Sequence, residues 1–322
     1  MTNNAVTTAT QYASIDNKQI AYRKIGNGTP IISTSNAQSS NSKNVTYTYA
    51  TVPTQFAEVN GIKFAYRSYG KEDGIPVIYV NHLAATMDNC DPRIMDGIAA
   101  AHQIICFDNK GVGATKGKTQ NTIQEMATDA RAFIHALGYD RVILFGFSMG
   151  GMIAQEILEQ EPALVHKLIL TGTGPRASVG LDKIKSVTFG DVLRGLLSFR
   201  DPKFYLFFTT TKNGKASAKA FLNRIKERTE NRDAKIKNSS FLTQLNAIKA
   251  WALDTPADLS KYKLPVFVAN GDNDRMVPTP NSYDLAKRFQ NSEIVIYPDA
   301  GHGGIFQNHE AFVKQALAFL AK

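Results

Sequence analysis

Cysteine is nearly absent from this chain. The only two, Cys90 and Cys106, cannot supply a disulfide framework and lack the spacing of zinc ligands, so both are expected to be core thiols in a reducing cytoplasm. Long hydrophobic runs are missing too: none approaches the roughly 20 residues that a membrane-spanning helix needs, so no membrane partner is expected. The opening Met1-Thr2-Asn3-Asn4-Ala5-Val6 has neither the basic nor the apolar stretch of a secretory signal, and none is expected. What remains is an ordinary globular composition, with 43% hydrophobic and 20% charged residues. The 322 residues suffice for one large α/β domain with an insertion, or for two modest domains.

Acidic residues are scarce in one region only. Residues 176–255 carry 16 Lys/Arg against 7 Asp/Glu, which accounts for the whole net charge of +9. No nucleic-acid-binding motif accompanies this excess, so a nucleic-acid partner is not expected and the cations read as solvated helix faces.

The N-terminal part contains a repeat. Gln11-Tyr12-Ala13-Ser14-Ile15 and Ile20-Ala21-Tyr22-Arg23 are echoed by Gln55-Phe56-Ala57-Glu58-Val59 and Phe64-Ala65-Tyr66-Arg67. Each copy predicts a hairpin, turning at Asp16-Asn17 or Asn60-Gly61. The polar stretch 33–53 between them reads as a flexible linker. Residues 1–54 are thus an N-terminal extension, and an unpaired strand there could recruit a second copy into a homodimer.

Beyond the repeat, strand and helix signals alternate. Buried strands are expected at 76–80, 103–107, 142–145 and 167–171, with helices at 93–102, 122–137 and 152–161, a pattern that demands a parallel sheet covered by helices. Thr122 and Glu125 form a capping-box signature for the second helix, and Gly138 stops it. Residues 176–255 then read as helices alone, rich in aromatics such as Phe204, Phe207, Phe208, Phe241 and Trp251. Strands return at 264–270 and 293–297, and a helix at 310–320 closes the chain.

Chemistry concentrates at three strand ends. Gly146-Phe147-Ser148-Met149-Gly150 is a G-x-S-x-G pattern, whose small residues permit a sharp strand-to-helix turn that exposes the serine. Gly271-Asp272-Asn273-Asp274 follows the next-to-last strand, and Asp299-Ala300-Gly301-His302 follows the last. In a parallel sheet these loops share one edge, so serine, acid and histidine can converge.

From residue 55 to 322 the sequence resembles an α/β-hydrolase of the esterase and lactonase kind, with core segments 55–175 and 256–322 and a helical cap at 176–255. The resemblance implies that Ser148 is the nucleophile, His302 its general base and Asp274 the orienting acid, with Asp272 as a competing acid. It also implies an oxyanion hole made by the backbone N–H groups of Met149 and Leu83. His82 departs from the glycine usual before the second donor; it reads as a structural ring under the site, with a second base as the alternative, and cannot adopt glycine-only backbone angles. No cofactor and no metal are implied. A serine at the elbow excludes the alkyl-ester chemistry of dehalogenases and epoxide hydrolases, which need an aspartate there. Asn81-His82-Leu83-Ala84-Ala85 and Thr171-Gly172-Thr173-Gly174-Pro175 are similar to a bacterial macrolide esterase subgroup. The expectation is therefore a serine hydrolase acting through an acyl-enzyme on a small-molecule ester or lactone, macrolide lactones included. The alternatives are a ligand receptor on the same fold and an acyl or peracid transferase at the same site.

Overall fold

A computed structural model describes the backbone of the first hairpin, β1 (Gln11–Ile15) and β2 (Lys18–Tyr22), and residues 47–322. The two hairpin strands pair antiparallel from Gln11 with Tyr22 to Ile15 with Lys18. The Asp16-Asn17 turn and linker residues 33–46 lie outside the described residues. Residues 1–46 and 47–322 are separate compact units, and the second holds everything that follows.

In that unit the second repeat copy forms β3 (Gln55–Val59) and β4 (Ile62–Gly70), in the same register, Gln55 with Tyr66 to Val59 with Ile62. Asn60 and Gly61 have φ of 50° and 76°, the left-handed pair that a two-residue hairpin turn requires. Four more strands and their helices follow: β5 (Val77–Val80), α1 (Pro92–Ala99), β6 (Gln103–Phe107), α2 (Ile123–Ala136), β7 (Val142–Phe147), α3 (Met149–Gln160) and β8 (Val165–Thr171). Then come α4 (Ile184–Leu197), α5 (Lys203–Leu206), α6 (Lys212–Arg224) and α7 (Asn238–Ala252). The chain returns to the sheet with β9 (Val266–Gly271), α8 (Pro280–Arg288), β10 (Ser292–Tyr297), α9 (Gly304–Gln307) and α10 (His309–Leu320).

The eight strands of this unit lie in the order β10-β9-β8-β7-β5-β6-β4-β3, parallel except where β4 meets β6 and β3. Central strands β5, β7 and β9 are buried at every position, as expected of parallel strands covered on both faces. The α2–α3 and α1–α10 pairs cover the sheet. This is the parallel sheet covered by helices anticipated from the alternating pattern, in the α/β-hydrolase arrangement that the resemblance implied. The capping box of α2 is half built: Thr122 Oγ1 accepts the Glu125 N–H at 3.1 Å, while the Glu125 carboxylate turns to the Asn121 N–H at 3.2 Å. Cys90 and Cys106 are free and buried, their sulfurs 3.2 Å apart.

Two expectations need correction. The polar stretch 33–53 does not remain a linker to its end: Tyr49 and Val52 are core residues, the Tyr49 hydroxyl donates to the Met87 carbonyl at 2.6 Å, and Arg228 donates to the Val52 carbonyl at 2.8 Å. Two apolar anchors among serines and threonines suffice to dock it. The basic residues of 176–255 are also not all solvated. Arg224 forks onto Asp91, Arg232 and Asp233 meet Asp88, and the fully buried Arg67 bridges Asp88 and Asp233 at 2.9 and 3.1 Å. Part of the positive excess therefore fastens α6 and the following segment onto acidic residues near α1, where removal of one partner would strand a buried charge.

Candidate active site

The site grows from the end of β7. There the chain reverses at Ser148, whose φ of 56° and ψ of −120° are strained for a residue with a side chain. The turn is possible because a Cβ at Gly146 would sit 2.5 Å from the backbone of Gly151, and one at Gly150 would run into the Val80 carbonyl oxygen. Helix α3 starts at Met149, three residues before the expected Met152, directly behind the serine. The Met149 N–H, at the first helical position, has no intrahelical acceptor and stays available to an oxygen in front of it.

His302 and Asp274 arrive on the loops after β10 and β9. His302 Nδ1 and Asp274 Oδ2 are 2.8 Å apart, and both side chains are almost fully buried. The carboxylate can only accept, so Nδ1 carries the hydrogen, and in the neutral ring the lone pair is therefore on Nε2. Asp274 is itself held, its other oxygen accepting the N–H groups of Met276 at 2.8 Å and Val277 at 3.0 Å. Asp272 faces elsewhere: it accepts from the Ala300 N–H at 3.1 Å and from the Asn273 side chain at 2.7 Å, and it is exposed. The Phe147 ring packs against both His302 and His82, at 4.9 and 5.3 Å between ring centres.

Leu83 sits on the loop after β5, where His82 replaces the expected glycine. The loop accommodates it by placing its left-handed residue elsewhere: Ala84 has φ of 58°, and His82 is not among the residues with positive φ. Ala84 N–H is held by Gln244 Oε1 of α7 at 2.9 Å, and His82 Nδ1 donates to the Leu83 carbonyl at 2.8 Å. Burial, with help from Lys203 and His302, lowers the pKa of His82 to about 3, so the ring is neutral at physiological pH.

The sign of the resulting pH effect is fixed. The unfolded chain takes up a proton at this position below about pH 6.5, and the folded chain does not until about pH 3, so stability is lost as pH falls through that window. Urea unfolding at about pH 7 and about pH 5 is expected to show a smaller loss of stability for His82→Gln than for the parent. An equal or larger loss would remove the buried neutral imidazole from the account.

Ser148, His302, His82, Leu83 and Ala84 line one cavity of about 160 Å³. Its far wall is made by Thr188 and Val192 of α4, Asp201 and Lys203 with their weak ion pair at 3.3 Å, Leu206 and Phe207, then Phe241 and Met276. The Phe207 carbonyl also accepts the Gly303 N–H at 2.7 Å, tying this wall to the His302 loop. Of the five residues expected at the site, Ser148, Leu83 and His302 line this cavity, while Met149 follows Ser148 in the chain and Asp274 is hydrogen-bonded to His302. Of the wall, only the aromatics carried a sequence signal, as part of the helical cap expected at 176–255.

A family model described as alpha/beta hydrolase fold matches residues 75–309. This chain belongs to the alpha/beta hydrolase fold family. An alpha/beta hydrolase fold protein from Chitinophaga pinensis is 37% identical, with a TM-score of 0.80 and coverage of 85% of this chain and 99% of that one. The proline iminopeptidase PfmaB of Pestalotiopsis fici is 24% identical over 83% of this chain and 99% of its own length. The 2-hydroxy-6-oxo-6-(2'-aminophenyl)hexa-2,4-dienoic acid hydrolase of Metapseudomonas resinovorans is 24% identical over 83% of this chain and 91% of its own. Alpha/beta hydrolases with such different substrates share the fold, so the reaction of this one has to be argued from its own site. No helix among the described residues is long and apolar enough to cross a membrane.

Proposed function

We propose that this alpha/beta hydrolase cleaves carboxylic esters or lactones through an acyl-enzyme on Ser148. The observation that carries the reading is the buried His302–Asp274 pair at 2.8 Å, opening onto the same cavity as a serine held at a strained elbow. Ser148 Oγ attacks the carbonyl carbon while His302 Nε2 takes its proton, and Asp274 stabilises the imidazolium so formed. The developing oxyanion is received by the Met149 and Leu83 N–H groups, in a site where burial strengthens each hydrogen bond. Collapse expels the alcohol, which receives the proton from His302. Water, deprotonated by the same imidazole, then attacks the acyl-enzyme, and the acid leaves with Ser148 restored.

Cavity size orders the substrates. Ligand pockets commonly span roughly 300–1,000 Å³, and this one holds about 160 Å³. Short-chain esters and small lactones enter it as it stands, whereas a macrolide lactone requires α4 and α5 to swing outward. The macrolide reading rests on the sequence resemblance at residues 81–85 and 171–175. Turnover of p-nitrophenyl acetate and butyrate, γ-butyrolactone derivatives and several macrolides tests both levels. The expected outcome is hydrolysis of the short esters, and an inert protein across the whole panel would overturn the proposal.

A further inference from the structure

Helix α4 is apolar on two sides. Thr188 and Val192 face the cavity, while Phe189, Leu193, Leu196 and Leu197, spaced i, i+4, i+7 and i+8, form an outward stripe that is 46% to 74% exposed. A helix that is apolar around most of its circumference is normally buried; this one ends in open solvent. Just past its C-terminus stands Phe199, 97% exposed at φ of 54°. That left-handed position closes the helix, with the Arg200 N–H returning to the Gly195 carbonyl at 2.9 Å, and glycine is the residue that fits it without strain. The chain thus holds an aromatic ring outward against both backbone preference and burial. Clustered exposed apolar side chains of this kind mark interaction surfaces, whereas single scattered ones do not.

The charges around the stripe select the partner. Lys183, Arg194 and Arg200 are exposed and Lys185 half-buried, while of the two acids in residues 182–200 Asp182 is exposed and Asp191 is buried and paired with Arg275 at 3.1 Å, which leaves the exposed charge mainly positive. A two-fold dimer through this face would set the same cations against their copies. An anionic lipid surface takes both features at once, apolar side chains below the headgroups and cations among them.

We propose that α4 and Phe199 dock this protein onto anionic lipid bilayers, lying in the interface rather than crossing it. The expectation of no membrane partner rested on the lack of a spanning run, which a surface-lying helix does not need. Docking would also set the outer side of the cavity wall against lipid, where apolar esters dissolve. That consequence depends on the proposed hydrolysis; the docking itself does not.

The test is co-sedimentation of the full chain, carrying Ser148→Ala so that no lipid is cleaved, with vesicles of phosphatidylglycerol and phosphatidylcholine or of phosphatidylcholine alone. Binding is expected to be about tenfold or more tighter on the anionic vesicles and to weaken in high salt. The pair Leu193→Gln and Phe199→Ser, at unchanged charge and with thermal unfolding checked, is expected to lower it about tenfold. With Ser148 intact, the same pair is expected to leave hydrolysis of a soluble ester unchanged. Three results would overturn the proposal: no pelleting with either vesicle, pelleting that the apolar pair does not weaken, or a solution dimer that the same pair dissolves in its place.

Discussion

Replacing Ser148 with alanine is expected to lower kcat on a p-nitrophenyl ester by about 10⁴- to 10⁶-fold, with little change in thermal stability. In the proposed mechanism the effect is large because the histidine and its acid act only through this oxygen; without it, only binding and the two proposed oxyanion donors remain. Stability should hold because alanine removes one hydroxyl, for which no hydrogen-bond partner occurs among the described residues, and because the elbow is set by Gly146 and Gly150. Steady-state kinetics with a thermal melt measures both. A variant with parental kcat would place the chemistry on another group.

Asp274→Asn is expected to lower kcat by about 10⁴-fold, while Asp272→Asn stays within a few-fold of the parent. The tautomer of His302 decides the difference. The Asp274 carboxylate at 2.8 Å from His302 Nδ1 obliges that nitrogen to carry the hydrogen. An amide at this position can present its NH₂ instead, turning the imidazole to the tautomer whose Nε2 already holds a proton and cannot take one from serine. Asp272 makes no such contact; its hydrogen bonds to Ala300 and Asn273 belong to the loop. Asparagine keeps an oxygen that can accept them, and neither bond touches the imidazole of His302. The two variants therefore separate, and a reversed order would exchange the roles of the two acids.

The elements that carry the chemistry were readable because their signals are local. The glycines around Ser148, the turn residues before His302 and the run of apolar residues in β7 each express a constraint within a few positions. The walls of the cavity were not readable, since they depend on contacts between distant residues: Gln244 holds Ala84 from 160 positions away. The loop at His82 shows a local rule that held without locating the turn: His82 is not among the residues with positive φ, and the left-handed residue is Ala84, at φ of 58°. Helix α8 went unread because its sequence, Pro-Asn-Ser-Tyr-Asp-Leu-Ala-Lys-Arg, buries Leu285 and Ala286 as its only apolar side chains; the proline at its first turn was the available cue. Tyr49 and Val52 were hidden in the same way, two anchors in a stretch whose composition favours a linker.

These readings meet in a claim about one atom, that Ser148 Oγ is the nucleophile driven by His302. Treatment with a p-nitrophenyl alkylphosphonate followed by peptide mass spectrometry tests it directly, since such a reagent is attacked like an ester but leaves a stable adduct. The account predicts a single phosphonyl group on the peptide containing Ser148, formed far more slowly after His302→Ala. Labelling of any other residue, or an unmodified chain after release of nitrophenol has ceased, would contradict it.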